Sequence, residues 1–277
     1  MEKPILKISN LNKVFGDGCD HCRDNSNNLI GNYCPKCKSV YACRNINFEV
    51  YEGEILGVVG ESGSGKSTLV QCLYFDQEPS TGEFYLETHK DGKSNLFSES
   101  NQQKRMLKNT KLGMVYQNPY LGLRMNFSAI SNIAEKLIAA KNDTVGEMVD
   151  IGKELLGKVN IQEYRMKDLP KTFSGGMQQR VQIAKALSNN PSILFLDEVT
   201  TGLDLSVQAN VLDLIKTIQR ESKVSMIIVS HDLAVIKMLA DRTIVMLNGE
   251  IIESGLSDQI MEDPQHPYTQ QLVYSLL

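Results

Sequence analysis

Nine consecutive residues, Gly60-Glu61-Ser62-Gly63-Ser64-Gly65-Lys66-Ser67-Thr68, constrain this chain more than any other stretch. They fit G-x-x-x-x-G-K-[ST], a spacing that wraps backbone amides around phosphate oxygens. The apolar run Ile55-Leu56-Gly57-Val58-Val59 precedes them and reads as a buried strand, and Leu69, Val70, Cys72 and Leu73 follow at helical spacing. The loop is therefore expected between a strand and a helix, where the helix N-terminus adds partial positive charge to the glycine-rich amides. In that frame Lys66 reaches the β- and γ-phosphates of a nucleotide, Ser67 ligates Mg²⁺ and Thr68 donates further hydrogen bonds. A chance Gly/Ser turn is the plain alternative, and the two flanks argue against it.

A length of 277 residues allows one large domain, or one domain with a subdomain, and a single domain over 1–277 is expected. The net charge of −4 gives no reason to expect nucleic acid as a direct partner. No apolar run approaches the roughly 18 residues that span a bilayer. Met1-Glu2-Lys3-Pro4 is not the start of a secretory leader, so the expected location is the cytoplasm. If the chain serves a membrane process, the spanning part is another polypeptide.

Ile5-Leu6-Lys7-Ile8 and Ile46-Asn47-Phe48-Glu49-Val50 alternate as strands. Between them residues 17–43 are polar, rich in Asn and Cys, and read as an insertion between two strands of one sheet. Short strand signals follow at 83–86 and 112–116. From about 128 to 170 the spacing becomes helical, through Ile130, Ile133, Leu137, Leu155, Leu156 and Val159. Ser174 is placed to cap a helix running to about Leu187, and Ile193-Leu194-Phe195-Leu196 reads as a parallel strand buried on both faces. A helix over Leu205 to Arg220, a strand over 226–229, and a hairpin through Asn248-Gly249 complete an α/β pattern.

Several residues at the ends of these elements carry chemistry. Asp197 and Glu198 close the strand over 193–196, where a carboxylate lies beside the phosphate loop in a sheet of this type; Asp197 suits Mg²⁺ and its water shell, Glu198 suits a general base acting on water. Gln117 ends another strand and is placed to sense Mg²⁺ and the attacking water. His231 follows the strand over 226–229 and is expected beside the γ-phosphate; a structural histidine is the alternative. Ser174-Gly175-Gly176 opens a helix with a Ser cap and two glycines, a second phosphate site. One nucleotide does not need two such ends in one chain, so this end is expected to face the nucleotide of a second copy. Phe15 is the aromatic upstream of the loop, read either as a stacking partner for adenine or as a core residue at a strand end.

Together these residues resemble the ATP-binding cassette ATPases: the loop 60–68, Gln117, Ser174-Gly175-Gly176, Ile193 to Glu198, Thr201-Gly202-Leu203-Asp204 and His231 stand in the family's order and spacing. The resemblance covers nearly the whole chain apart from 17–43. It implies a RecA-like core with an antiparallel β-subdomain, a helical subdomain at 118–172, and a head-to-tail dimer. Two ATP molecules would be sandwiched between each phosphate loop and the partner copy's Ser174 segment. The chain departs from the family where Phe173 and Met177 replace the usual Leu and Gln of the signature, and where Val199 stands in place of Pro. Neither change removes a phosphate ligand, so hydrolysis is expected, while its rate is open. A narrower resemblance divides: Asp263-Pro264-Gln265-His266-Pro267-Tyr268-Thr269 is similar to peptide- and nickel-importer ATPases, whereas 122–129 and 172–180 look like the ATP-binding subunits of carbon–phosphorus lyase systems. Those subunits dock on a soluble phosphonate-cleaving complex rather than on a permease. Three readings follow: an ATPase driving such a complex, an importer subunit bound to membrane permease subunits, and an ATP-gated scaffold without turnover.

Cys19-x₂-Cys22 and Cys34-Pro35-x-Cys37 form two knuckles near zinc-ribbon spacing. Two thiolates from each make a tetrahedral four-sulfur site, and so small a polar insertion needs a metal in place of a hydrophobic core. Structural zinc is the expectation; an iron–sulfur cluster and unligated thiols are the alternatives. His21 reads as a bystander, and Cys43 and Cys72 as core residues.

Overall fold

The computed structural model describes residues 3–23, 29–140 and 144–274. Residues 24–28 of the cysteine-rich segment and 141–143 of the helical stretch lie outside the described residues. The chain divides into two compact units, Met1–Glu99 with Ile228–Leu277, and Ser100–Ile227.

The first unit opens with β1 (Leu6–Phe15), a short α1 (Asp20–Arg23) inside the cysteine-rich segment, and β2 (Val40–Val50). β2 thus begins at Val40, ahead of the end expected for the insertion. β3 (Ile55–Val59) follows, then α2 (Lys66–Leu73) and β4 (Thr81–Leu86). β1 pairs antiparallel with β2, from Leu6↔Val50 to Phe15↔Val40, and with β4, from Leu6↔Leu86 to Asn12↔Thr81. The alternation of Leu6 and Ile8 turns both to one buried face, where Phe84 of β4 is fully buried and packs on Phe75 and Phe97 at ring separations of 6.0 and 5.6 Å. Each such side chain contributes about 1.5–3 kcal/mol through burial.

The second unit begins with α3 (Asn101–Thr110), β5 (Leu112–Val115) and α4 (Pro119–Gly122). Helices α5 (Ala129–Ala140) and α6 (Val145–Lys158) fall in the stretch read as helical, and α7 (Gly175–Leu187) is the helix expected after Ser174. Thr144 and Glu147 form a reciprocal capping box at the start of α6. β6 (Ile193–Asp197) is buried along its whole length and pairs in parallel with β5, Leu112↔Ile193 through Val115↔Leu196. α8 (Leu205–Ser222) is capped by Asp204 and leads to β7 (Ser225–Val229), where the chain passes back to the first unit.

There α9 (Leu233–Leu239), β8 (Arg242–Leu247), β9 (Glu250–Leu256), α10 (Ser257–Glu262) and α11 (Pro267–Tyr274) complete the chain. β3 and β8 run parallel, with Leu56↔Arg242 through Val59↔Val245, and β8 turns antiparallel into β9. Asn248 at φ 51° and Gly249 at φ 82° supply the two left-handed positions of that turn. Among the described residues no helix is long and apolar enough to cross a membrane.

Candidate functional site

The phosphate loop connects β3 to α2, as its flanks predict. Two of its glycines are dictated by close approach. A Cβ on Gly60 (φ 149°) would stand 2.2 Å from the Met246 carbonyl oxygen, and one on Gly65 (φ 105°) only 1.9 Å from that of Ala42. The loop is thereby pressed between β2 and the end of β8. Gly65 offers no capping side chain, so the positive end of α2 faces the loop. Lys66 is 4% exposed, and its Nζ donates to the carbonyls of Gly60 and Glu61 at 2.8 Å each. Gly249 donates to the Ser64 carbonyl at 3.0 Å, and Asn32, between the two cysteine knuckles, reaches the Gly63 carbonyl at 3.4 Å.

Phe15 ends β1 with 41% of its surface exposed and Lys13 Nζ 4.8 Å from its ring centroid. It is a surface aromatic, not the core residue of the alternative reading. His231 is exposed just past β7. The Ser230 amide beside it bonds the Val58 carbonyl at 3.1 Å, which aligns the end of β7 with the end of β3. Asp232 then caps α9 through the Ala234 amide at 2.8 Å.

In the second unit Asp197 is 4% exposed at the last position of β6, and Glu198 follows in the left-handed region at φ 46°. An L-residue there is strained, and such strain is often stored at working sites. Gln117 Nε2 donates to Glu198 Oε2 at 3.0 Å, and the Thr201 hydroxyl to the same oxygen at 3.2 Å. The backbone leading to Gln117 is held by two residues the sequence reading missed. Gln179 donates to the Tyr116 and Gln117 carbonyls at 3.3 and 3.2 Å, while Gln182 accepts from the Tyr116 amide at 3.1 Å and donates to Gln179 at 2.8 Å. Both glutamines are 2% exposed. Polar side chains at i and i+3 on a helix otherwise apolar on that face were the available signal.

Ser174 caps α7 as predicted, accepting from the Met177 amide at 3.4 Å. Gly176 is needed for helix contact: a Cβ there would meet Val207 Cγ1 of α8 at 2.2 Å. The Gln178 amide does not stand in for a glutamine at 177, because it donates to the carbonyls of Pro170 and Phe173 at 3.0 and 3.2 Å. The Arg165 guanidinium lies over the Phe173 ring at 4.7 Å and donates to Met177 Sδ at 3.6 Å, so the two departures from the family signature share one contact.

The sulfurs of Cys19, Cys22, Cys34 and Cys37 lie within 4.8 Å of one another, with separations of 3.7 Å (19–22), 3.9 Å (19–34) and 3.6 Å (22–37). A tetrahedral Zn–S distance of about 2.3 Å sets the sulfurs about 3.8 Å apart, so this donor set fits one zinc ion. All six cysteines are free thiols. The Ser39 hydroxyl, 3.2 Å from Cys37 Sγ, lowers that thiol to about 6, whereas burial pushes Cys19 up to about 11. Cys43 and Cys72 are buried apart from this group, and burial raises both thiols.

The family described as ABC transporter matches residues 43–201. Over its full length the chain is 40% identical to the putative phosphonates utilization ATP-binding protein PhnK of Escherichia coli K12, covering 99% of that protein. This chain belongs to the ABC transporter family and is an ATPase. The cassette is also 37% identical over 243 residues to the glutathione import ATP-binding protein GsiA of Shigella boydii serotype 4, of which it covers 39%. Its fold is similar to that of the dimeric ATP-binding cassette MJ0796 in a post-hydrolysis state bound to ADP and Pi, at a TM-score of 0.75 and 26% identity, covering 91% of this chain and 98% of that one. The α/β P-loop fold and the ATP chemistry expected from the sequence are thereby shown for the cassette.

Proposed function

We propose that this ATPase closes head-to-tail on a second copy around ATP and drives a soluble complex of the carbon–phosphorus lyase type. The observation that carries this reading is the end-to-end match with PhnK, 40% identical with 99% of that protein covered. GsiA, by contrast, is matched over only 39% of its length.

In this reading Phe15 stacks on the adenine, and the amides of 60–68 with Lys66 bind the phosphates. The Mg²⁺ that accompanies the nucleotide would be held by Ser67, Gln117 and Asp197 and would neutralise phosphate charge. Glu198 accepts the proton of the attacking water, with the Gln117 amide fixing the carboxylate at 3.0 Å. His231 donates toward the γ-phosphate. Ser174, Gly175 and Gly176 present a capped helix start to the nucleotide held by the other copy. Support for the dimer comes from the dimeric MJ0796 cassette, described with ADP and Pi. Cys19, Cys22, Cys34 and Cys37 would hold one structural zinc. The cytoplasm is the location that suits such a partner.

A second reading has its own support. The C-terminal segment 263–269 resembles importer ATPases, and GsiA is 37% identical. Affinity purification of the tagged chain from its native cells separates the two: subunits of a phosphonate-cleaving complex are expected, and membrane permeases would instead establish the importer reading.

A further inference from the structure

The phosphate loop has a contact that nothing in its motif requires. Tyr268, on α11 and 207 residues further along the chain, accepts the Glu61 amide N–H on its hydroxyl at 2.8 Å. The other side of the Glu61 residue is equally engaged: its carbonyl accepts from Lys66 Nζ at 2.8 Å and from the Ser64 amide at 3.2 Å. Glu61 is therefore gripped at both its N–H and its C=O inside a loop whose other side chains, Lys66 apart, are small.

Tyr268 is itself firmly placed. The Glu253 carboxylate, on β9, accepts from the Gln265 amide at 2.8 Å and the His266 amide at 2.9 Å. His266 Nδ1 accepts from the Tyr268 amide at 3.1 Å, and Gln270 Nε2 closes the turn on the Pro264 carbonyl at 3.0 Å. Thr269, next to Tyr268, is 1% exposed and anchors the start of α11. All of these residues belong to the unit that carries the loop.

We infer that Tyr268 is a positioning residue for nucleotide binding: its hydroxyl holds the Gly60–Glu61 peptide so that the phosphate loop keeps its shape when Lys66 turns from the Gly60 carbonyl to phosphate. Without the hydroxyl, the Gly60–Glu61 peptide would lose its lysine at the Gly60 carbonyl on binding while its N–H had no fixed partner, and that peptide would be free to rotate. The ordering would then fall to the nucleotide, which weakens binding rather than the chemical step. This inference rests on the loop 60–68 being the nucleotide site.

The test uses the full chain with Tyr268→Phe, which keeps the ring and removes only the acceptor, and Lys66→Ala as a control. Loss of one hydrogen bond to an amide predicts that KM for Mg-ATP and Kd for a fluorescent N-methylanthraniloyl-ATP rise about three- to tenfold, with kcat changed less than about twofold. Hydrogen exchange at the Glu61 amide should quicken in the same variant. A rise in KM short of about threefold, or a fall in kcat as large as the rise in KM, overturns the inference. If Lys66→Ala binds the fluorescent nucleotide like the unaltered chain, the nucleotide-site reading fails and this inference with it. If Lys66→Ala abolishes binding and Tyr268→Phe changes nothing, only the role of Tyr268 is refuted.

Discussion

Gln117 donates its side-chain amide to Glu198 at 3.0 Å. These residues follow β5 and β6, whose parallel register ends with Val115 opposite Leu196, so the pair forms where two neighbouring strands run out together. Both strands are buried along their length, and the two hydrogen-bonded side chains lie just past their ends, Glu198 directly after the buried Asp197. The amide orients the carboxylate, as the proposed acceptance of a proton from water requires.

Glu198→Gln should therefore bind Mg-ATP and fail to turn it over. It preserves the size of the side chain and removes the basic oxygen. Phosphate release should fall roughly 100- to 10,000-fold, the range a general base contributes. Release equal to that of the unaltered chain would remove Glu198 from the chemistry.

The cysteine group predicts about one zinc per purified chain, read by elemental analysis. Replacing Cys34 and Cys37 together by Ser takes away half of the sulfurs that lie within 4.8 Å of one another, so metal content should fall to background and the thermal midpoint should drop. Full metal content in that variant would show that the ion is held elsewhere.

Lys136 gives the chain a pH-dependent term in stability. It is 7% exposed, donates to the Leu112 and Ala186 carbonyls at 3.0 and 3.4 Å, and burial lowers it from 10.5 to about 7. Between those two values the folded chain holds fewer protons than the unfolded chain. Its cost to stability is thus full below about pH 7 and is relieved as pH rises toward 10.5, with a slope of up to about 1.4 kcal/mol per pH unit. Urea unfolding at pH 7 and pH 9 should show the unaltered chain gaining stability relative to Lys136→Met. Parallel curves for the two proteins would refute the assignment.

Much of the site was legible because its signals are local. The loop 60–68, the Ser174 cap and the carboxylates at the end of β6 each depend on a few consecutive residues, and the structure places them on the elements expected. What escaped depends on distant parts of the chain meeting. Gln179 and Gln182 matter only because α7 lies along the end of β5. Tyr268 matters only because α11 returns to a loop 207 residues earlier. Hydrophobic period reports which face is buried and not which polar group it will meet, so such bonds leave no periodic trace. The start of β2 at Val40 was hidden for a related reason: Tyr41 and Cys43 follow a polar segment with no alternation to announce them.

Asn132 shows how the surface after Gln117 is built, and it supplies the last prediction. It is fully buried; its Oδ1 accepts from the Arg124 amide at 2.8 Å, and its Nδ2 meets the carbonyls of Arg124, Phe127 and Ser128 at 3.1 Å each. One side chain thus folds the loop that leaves Phe127 57% exposed, near in sequence to Tyr120 at 65% and Leu121 at 69%. Asn132→Ala strands several buried backbone groups and should cost about 2–3 kcal/mol in urea unfolding. Phe127→Ala removes only exposed apolar surface, so stability should change by less than about 0.5 kcal/mol and the isolated ATPase should be unaffected. If this loop meets the driven partner, Phe127→Ala should nonetheless recover less of that partner in the affinity purification, and undiminished recovery would move the docking surface elsewhere on the cassette.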